Sequence, residues 1–137
     1  MSKVSRECAR HNRLRPGRGP GAHFDGYAVV FTSVREDWDL TPLLKGSPGD
    51  SCQCPHWGYV TAGRLTVRYG DHEEVMEPGH AFYMPPGHVP AVVAGTELVM
   101  FSPQDELAAA EAAMREAMQL RMQKGEWELI ALFREVR

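Results

Sequence analysis

Tyr59-Val60-Thr61-Ala62-Gly63-Arg64-Leu65-Thr66-Val67 joins two β-forming runs at a single glycine. The residues on either side are rich in β-branched and apolar side chains, which suit a pleated, half-buried surface. The glycine supplies turn conformations that other residues avoid. The same pattern recurs on both sides. Trp57 to Ala62 is one predicted strand, ended by Gly63, and Leu65-Thr66-Val67-Arg68-Tyr69 alternates apolar and polar up to Gly70-Asp71. Glu73 to Met76 precedes Pro78-Gly79, Ala81 to Met84 precedes Pro85-Pro86-Gly87, His88 to Val93 precedes Ala94-Gly95-Thr96, and Glu97 to Phe101 closes the series. Strands recurring every 8–12 residues or so, with turns between them, predict an antiparallel sandwich or barrel.

Upstream, Tyr27 to Thr32 reads as a further strand, Glu36 to Pro42 as a polar loop, and Gly46-Ser47-Pro48-Gly49-Asp50 as a turn. Downstream the period changes. Ser102 is a candidate helix N-cap, Pro103 a first helical residue and Asp105 the acid three positions after the cap. The predicted helix runs to about Lys124 and stops at Gly125, with Leu107, Ala110, Met114, Ala117 and Met118 on one stripe. That stripe packs on the barrel or on a second subunit. Trp127 to Phe133 is apolar and is expected to pack on the core or join a homodimer interface.

The chain has 137 residues, 43% hydrophobic and 24% charged, which is one domain's worth of core. Its net charge of −3 favours neither nucleic acid nor an anionic membrane. Residues 1–22 read as a disordered basic tail, with Lys3, Arg6, Arg10, Arg13, Arg15 and Arg18 against Glu7. The remaining boundaries are a barrel over 23–102 and a helix with its packing segment over 103–137. No apolar run is long enough to span a membrane and no apolar leader opens the chain, so a cytoplasmic protein is expected. In that reducing compartment, cysteines close in sequence read as metal ligands rather than disulfides.

Cys52, Cys54 and His56 sit at alternate positions, so on an extended segment they share one face. Two soft sulfurs and an imidazole on one face are the start of a transition-metal site. His88, after Pro85-Pro86-Gly87, is the fourth candidate. The alternative is that the cysteines are small buried hydrophobes with no metal. Cys8 and His11 lie in the predicted tail, His23 at its end, His72 in a turn and His80 after Gly79; none is a first-choice ligand.

The stretch from His56 to Pro90 resembles the cupin family of small double-stranded β-barrels. Gly79, five residues, then Pro85-Pro86-Gly87 matches the start of the second cupin motif, and Gly63 matches the closing glycine of the first. The resemblance implies an all-β cupin jelly-roll barrel followed by a C-terminal α-helix. It departs from the family at the ligands. Counted back from Gly63, the usual Glu falls on His56 and the His-x-His pair near Asp50 and Cys52; the second-motif His falls on Pro90, two residues past His88.

A Cys- and His-based set suits zinc in tetrahedral geometry, with iron(II), used by cupin oxygenases, as the alternative. Cys52, Cys54, His56 and His88 together make a closed site; Cys54, His56 and His88 alone leave a position for water or substrate. The barrel interior, with Tyr59, Tyr69, Phe82, Met84 and Met100 as expected lining, suits a small, largely apolar ligand. A register error of one residue would swap each of these for an outward neighbour. Two functions are consistent with this reading. One is a metal-dependent enzyme of isomerase, cyclase, decarboxylase or oxygenase type. The other is a non-catalytic ligand-binding or metal-sensing module.

Overall fold

The computed structural model describes residues 3–7 and 21–125, and residues 21–125 hold nine strands, two α-helices and a 3-10 turn at Pro48–Asp50. The strands are β1 (Gly21–Phe24), β2 (Tyr27–Ser33), β3 (Trp38–Asp39), β4 (His56–Ala62), β5 (Leu65–Arg68), β6 (Glu73–Met76), β7 (Ala81–Met84), β8 (Val89–Val92) and β9 (Glu97–Pro103). Helix α1 spans Thr41–Leu44 and α2 spans Gln104–Gln123. The strands pair antiparallel into a sheet ordered β1-β2-β9-β4-β7 and a second ordered β3-β8-β5-β6. This is the expected all-β jelly-roll with a C-terminal helix.

Alternation along each strand decides what faces inward. Val60, Phe82, Met84 and Leu98 from the first sheet meet Leu65, Val67, Met76 and Val92 from the second in one buried cluster. Burying each such side chain stabilises the fold by roughly 1.5–3 kcal/mol. Two glycines permit this packing. A β-carbon at Gly58 would collide with the Phe82 ring and the Val99 carbonyl. Gly63 has φ +77°, and a β-carbon there would strike Thr96. The Thr96 hydroxyl accepts the Arg64 N–H at 3.0 Å and donates to the Val93 carbonyl at 2.7 Å, clamping the β4–β5 turn to the β8–β9 turn.

A second buried cluster closes one end of the barrel. It joins Ala28 and Val30 to Leu40, Leu43, Leu44, Cys52, Cys54 and Leu107, and Ala110, Met114 and Met118 pack against it. The helical stripe therefore lies on the barrel. Arg121 ties the far end of α2 down through hydrogen bonds to the Pro42 carbonyl at 2.7 and 3.1 Å.

Three local expectations change. Strand β9 continues through Pro103, where it pairs with Tyr27, so α2 begins at Gln104 and Ser102 makes no helix cap. The ladder with β2 outcompetes the capping pattern. The polar stretch 36–42 is not all loop: Trp38 and Asp39 pair with β8, and the Asp39 carboxylate accepts the Thr41 N–H at 2.8 Å where α1 begins. Strand β1 starts at Gly21, inside the segment read as tail, and Arg6 bonds Ser33 and stacks 5.6 Å over the Phe31 ring. Cys8, His11 and Trp127 to Phe133 lie outside the described residues.

Candidate metal centre

Cys52 and His88 are backbone partners in an isolated antiparallel bridge. The Cys52 N–H donates to the His88 carbonyl at 2.9 Å, and the Gly87 N–H to the Cys52 carbonyl at 2.8 Å. Residues directly opposite across such a bridge carry their side chains on one face. Proline 55 ends the loop and His56 opens β4, whose pairing with β7 sets His56 opposite Met84, facing inward. The result is a cluster of Cys52, His56 and His88, one ligand atom from each, all within 4.8 Å of one another. The Cys52 Sγ lies 3.8 Å from His56 Nε2, and the two imidazole centroids are 5.0 Å apart. All three residues are buried, His88 completely.

The outer nitrogens of both rings have partners. His88 Nδ1 lies 2.7 Å from the Pro85 carbonyl oxygen. A carbonyl only accepts, so Nδ1 carries the proton and Nε2 holds a lone pair. That Nε2 is buried and has no hydrogen-bond partner among the described residues. Such a group is costly unless something binds it. His56 Nδ1 lies 2.5 Å from Ser102 Oγ, while its Nε2 points toward Cys52. Each histidine thus rests one nitrogen on an oxygen and turns the other inward, the arrangement that orients metal-bound imidazoles.

Electrostatics agree with that arrangement. Burial, with a smaller contribution from His88, pushes the His56 pKa down to about 3. Burial also lowers His88, against an opposing hydrogen bond to Pro85. Both rings are therefore neutral near pH 7, the form that ligates metals. Burial raises the Cys52 thiol, so forming its thiolate requires a positive partner. A divalent cation supplies one, and the donor set fits a transition ion.

Cys54 stands apart. Residues 53–55 form no strand and Cys54 lies at a bend, so the alternation that would have put Cys54 beside Cys52 does not hold. Its Sγ lies 3.5 Å from the Pro55 carbonyl and 4.0 Å from His56 Nδ1, the ring nitrogen facing Ser102. It is buried in the cluster under α2, outside the ligand group. The cysteine carried into the group is Cys52, through its bridge to His88. Neither cysteine is in a disulfide. Asp50 is exposed and accepts the Gly46 N–H at 2.9 Å, and Pro90 is buried on β8.

Beside the triad lies a cavity of about 170 Å³. Met84 and Met100 line it. Tyr59, Tyr69 and Phe82 do not. With His56 inward, Tyr59 three residues on along the same strand must point out, and it is 44% exposed. Phe82 fills the core against Gly58. Tyr69 lies beyond the end of β5 and stacks on His72 at 4.7 Å. Much of the remaining wall comes from Trp38 and Leu40, in the stretch read as a loop, and from Leu107, Glu111 and Met114 of α2. A larger open groove of about 660 Å³ lies near Arg68 and Asp39, which are paired with each other at 2.6 Å.

From residue 55 to residue 136, more than half of its length, the sequence matches the AraC-like ligand binding domain family. The chain belongs to that family. His56 and His88 lie inside the matched stretch and Cys52 just before it. Among solved structures, it is similar to a protein of unknown function from Rhizobium leguminosarum bv. viciae 3841, at 17% identity and TM-score 0.50, over 74% of this chain and 94% of that one. It is similar to a cupin-2 domain-containing protein from Shewanella frigidimarina NCIMB 400, at 14% identity and TM-score 0.41, over 60% and 74%. It is also similar to an ethanolamine utilization protein Q from Salmonella typhimurium LT2, at 13% identity and TM-score 0.43, over 58% and 60%. The chain spans 60% of that last protein's length. At such identities the likeness concerns the fold. No curated protein matches the sequence. The AraC-like domain is of cupin type, as the Gly63 and Gly79 to Gly87 motifs imply. Among the described residues, no helix is long and apolar enough to cross a membrane.

Proposed function

We propose that this AraC-like cupin domain holds a divalent transition metal on Cys52, His56 and His88 and binds a small, largely apolar molecule beside it. One observation carries the reading: the buried, unpartnered Nε2 of His88, in a cluster with Cys52 and His56. One thiolate and two imidazoles favour zinc over iron(II), whose sites are rich in carboxylates.

Three protein ligands beside a cavity leave a coordination position that a closed structural site lacks. An ion there would supply Lewis acidity toward an oxygen of the bound molecule. The chain's own part is to hold neutral imidazoles, exclude water behind α2, and press Met84, Met100 and Met114 against the ligand's apolar body. This arrangement supports an enzyme acting on a small molecule. A binding or sensing module is the second reading. It is favoured by α2, which lies over the cavity and would register its occupant.

Elemental mass spectrometry of the purified, zinc-reconstituted chain tests the metal reading. About one ion per chain is expected, with loss in Cys52→Ser and His88→Ala. Unchanged metal content in both variants, or no metal in the parent, overturns it.

A further inference from the structure

The cavity's apolar wall has one carboxylate in it. Leu107, Ala110, Glu111 and Met114 form the face of α2 that lines the cavity, at the spacing of one helical stripe. Every other position of that stripe is apolar. Glu111 Oε1 is buried. The barrel side of the cavity carries the Cys52, His56 and His88 cluster with Thr32 and the buried Trp38 N–H, and the helix supplies the one carboxylate, Glu111. Aliphatic and methionine side chains form most of the wall between them.

A buried carboxylate favours a positively charged or strongly donating neighbour. Ionised, it offers about four acceptor sites, so it can receive a ligand's N–H groups together with a bond from the chain. The cavity volume, about 170 Å³, is close to that of an engineered cavity of about 150 Å³ that takes up benzene. We propose that Glu111 is a specificity-determining residue and that the cavity takes a small amine, an apolar body of roughly benzene size bearing an ammonium group that Glu111 receives. The inference rests on the small-molecule reading of this cavity but not on the metal, since Glu111 is supplied independently of the triad.

Benzylamine and benzoate, alike in size and opposite in charge, test it by calorimetric titration of the zinc-loaded and the metal-free protein. Benzylamine is expected to bind at least tenfold more tightly than benzoate in the metal-free form, where no ion competes for the benzoate carboxylate. Glu111→Gln, which keeps shape and helix propensity, is expected to weaken benzylamine by about tenfold to a hundredfold with zinc content unchanged. Glu116→Gln, on an exposed position of the same helix, controls for long-range charge and is expected to change neither affinity. Equal affinity of the metal-free protein for the two probes, or a preference there that survives in Glu111→Gln, overturns the proposal. Loss of zinc binding with the preference intact would instead refute the metal reading and support this one.

Discussion

Ser102 Oγ sits 2.5 Å from His56 Nδ1, joining the penultimate residue of strand β9 to the first residue of β4. The pairing of Trp57 with Phe101 places the two side by side. The contact holds the imidazole so that Nε2 faces Cys52, and on the proposed metal reading it makes Ser102 a positioning residue for His56.

Ser102→Ala is expected to weaken zinc binding by about 10- to 100-fold, the usual cost of losing such a support, while the fold survives. Competition against a chromogenic chelator measures this. Ser102→Thr, which restores the hydroxyl, is expected to recover much of the affinity. Equal zinc affinity in the alanine variant and the parent would remove Ser102 from the site.

The two cysteines are expected to separate cleanly. Cys52→Ser removes a ligand and the ion with it. Cys54→Ser leaves the triad intact and instead places a hydroxyl in the apolar cluster under α2, at a cost of about 1–3 kcal/mol in urea unfolding. A loss of zinc in Cys54→Ser with no loss in Cys52→Ser would reverse the assignment.

The metal-free protein is expected to lose stability on mild acidification. The unfolded chain protonates its histidines near the ordinary value of 6.5, whereas His56 in the fold resists until about 3 and His88 is shifted the same way. Stability is therefore complete above about pH 6.5 and falls as pH drops through that value toward 3, with each such histidine contributing up to about 1.4 kcal/mol per pH unit. Urea midpoints at pH 7.5, 6.0 and 5.0 check this, above the range where most carboxylates titrate. His56→Gln is expected to flatten the dependence, and a parent already flat over that window would contradict it.

Gly58→Ala is expected to destabilise by about 1–3 kcal/mol, because the new methyl meets the Phe82 ring and the Val99 carbonyl inside a packed core. Gly63→Ala is expected to cost a similar amount, through its φ of +77° and through Thr96. Thermal unfolding of both variants reports these costs, and wild-type melting in either would contradict the close approach described for it.

The strand order along the chain, the barrel class and the inward side of His56 are local properties. They follow from alternation, from glycine and proline at turns, and from the Gly63 and Gly79 to Gly87 spacing, all of which act over a few residues. Cys52, His56 and His88 could be nominated for the same reason, since ligand chemistry belongs to the side chain. Which cysteine enters the group is not local. Alternation puts Cys52 and Cys54 on one face alike, but Cys54 lies at a bend and the bridge to His88 brings in Cys52. Ser102 shows the same limit from the other side. Its sequence context spells a helix cap, and pairing with β2 makes it part of a strand and a neighbour of His56. Glu111 is another case, a helical carboxylate whose place in the cavity depends on how α2 docks. Contacts between residues dozens of positions apart are set by register and docking, and those are properties of the assembled sheets.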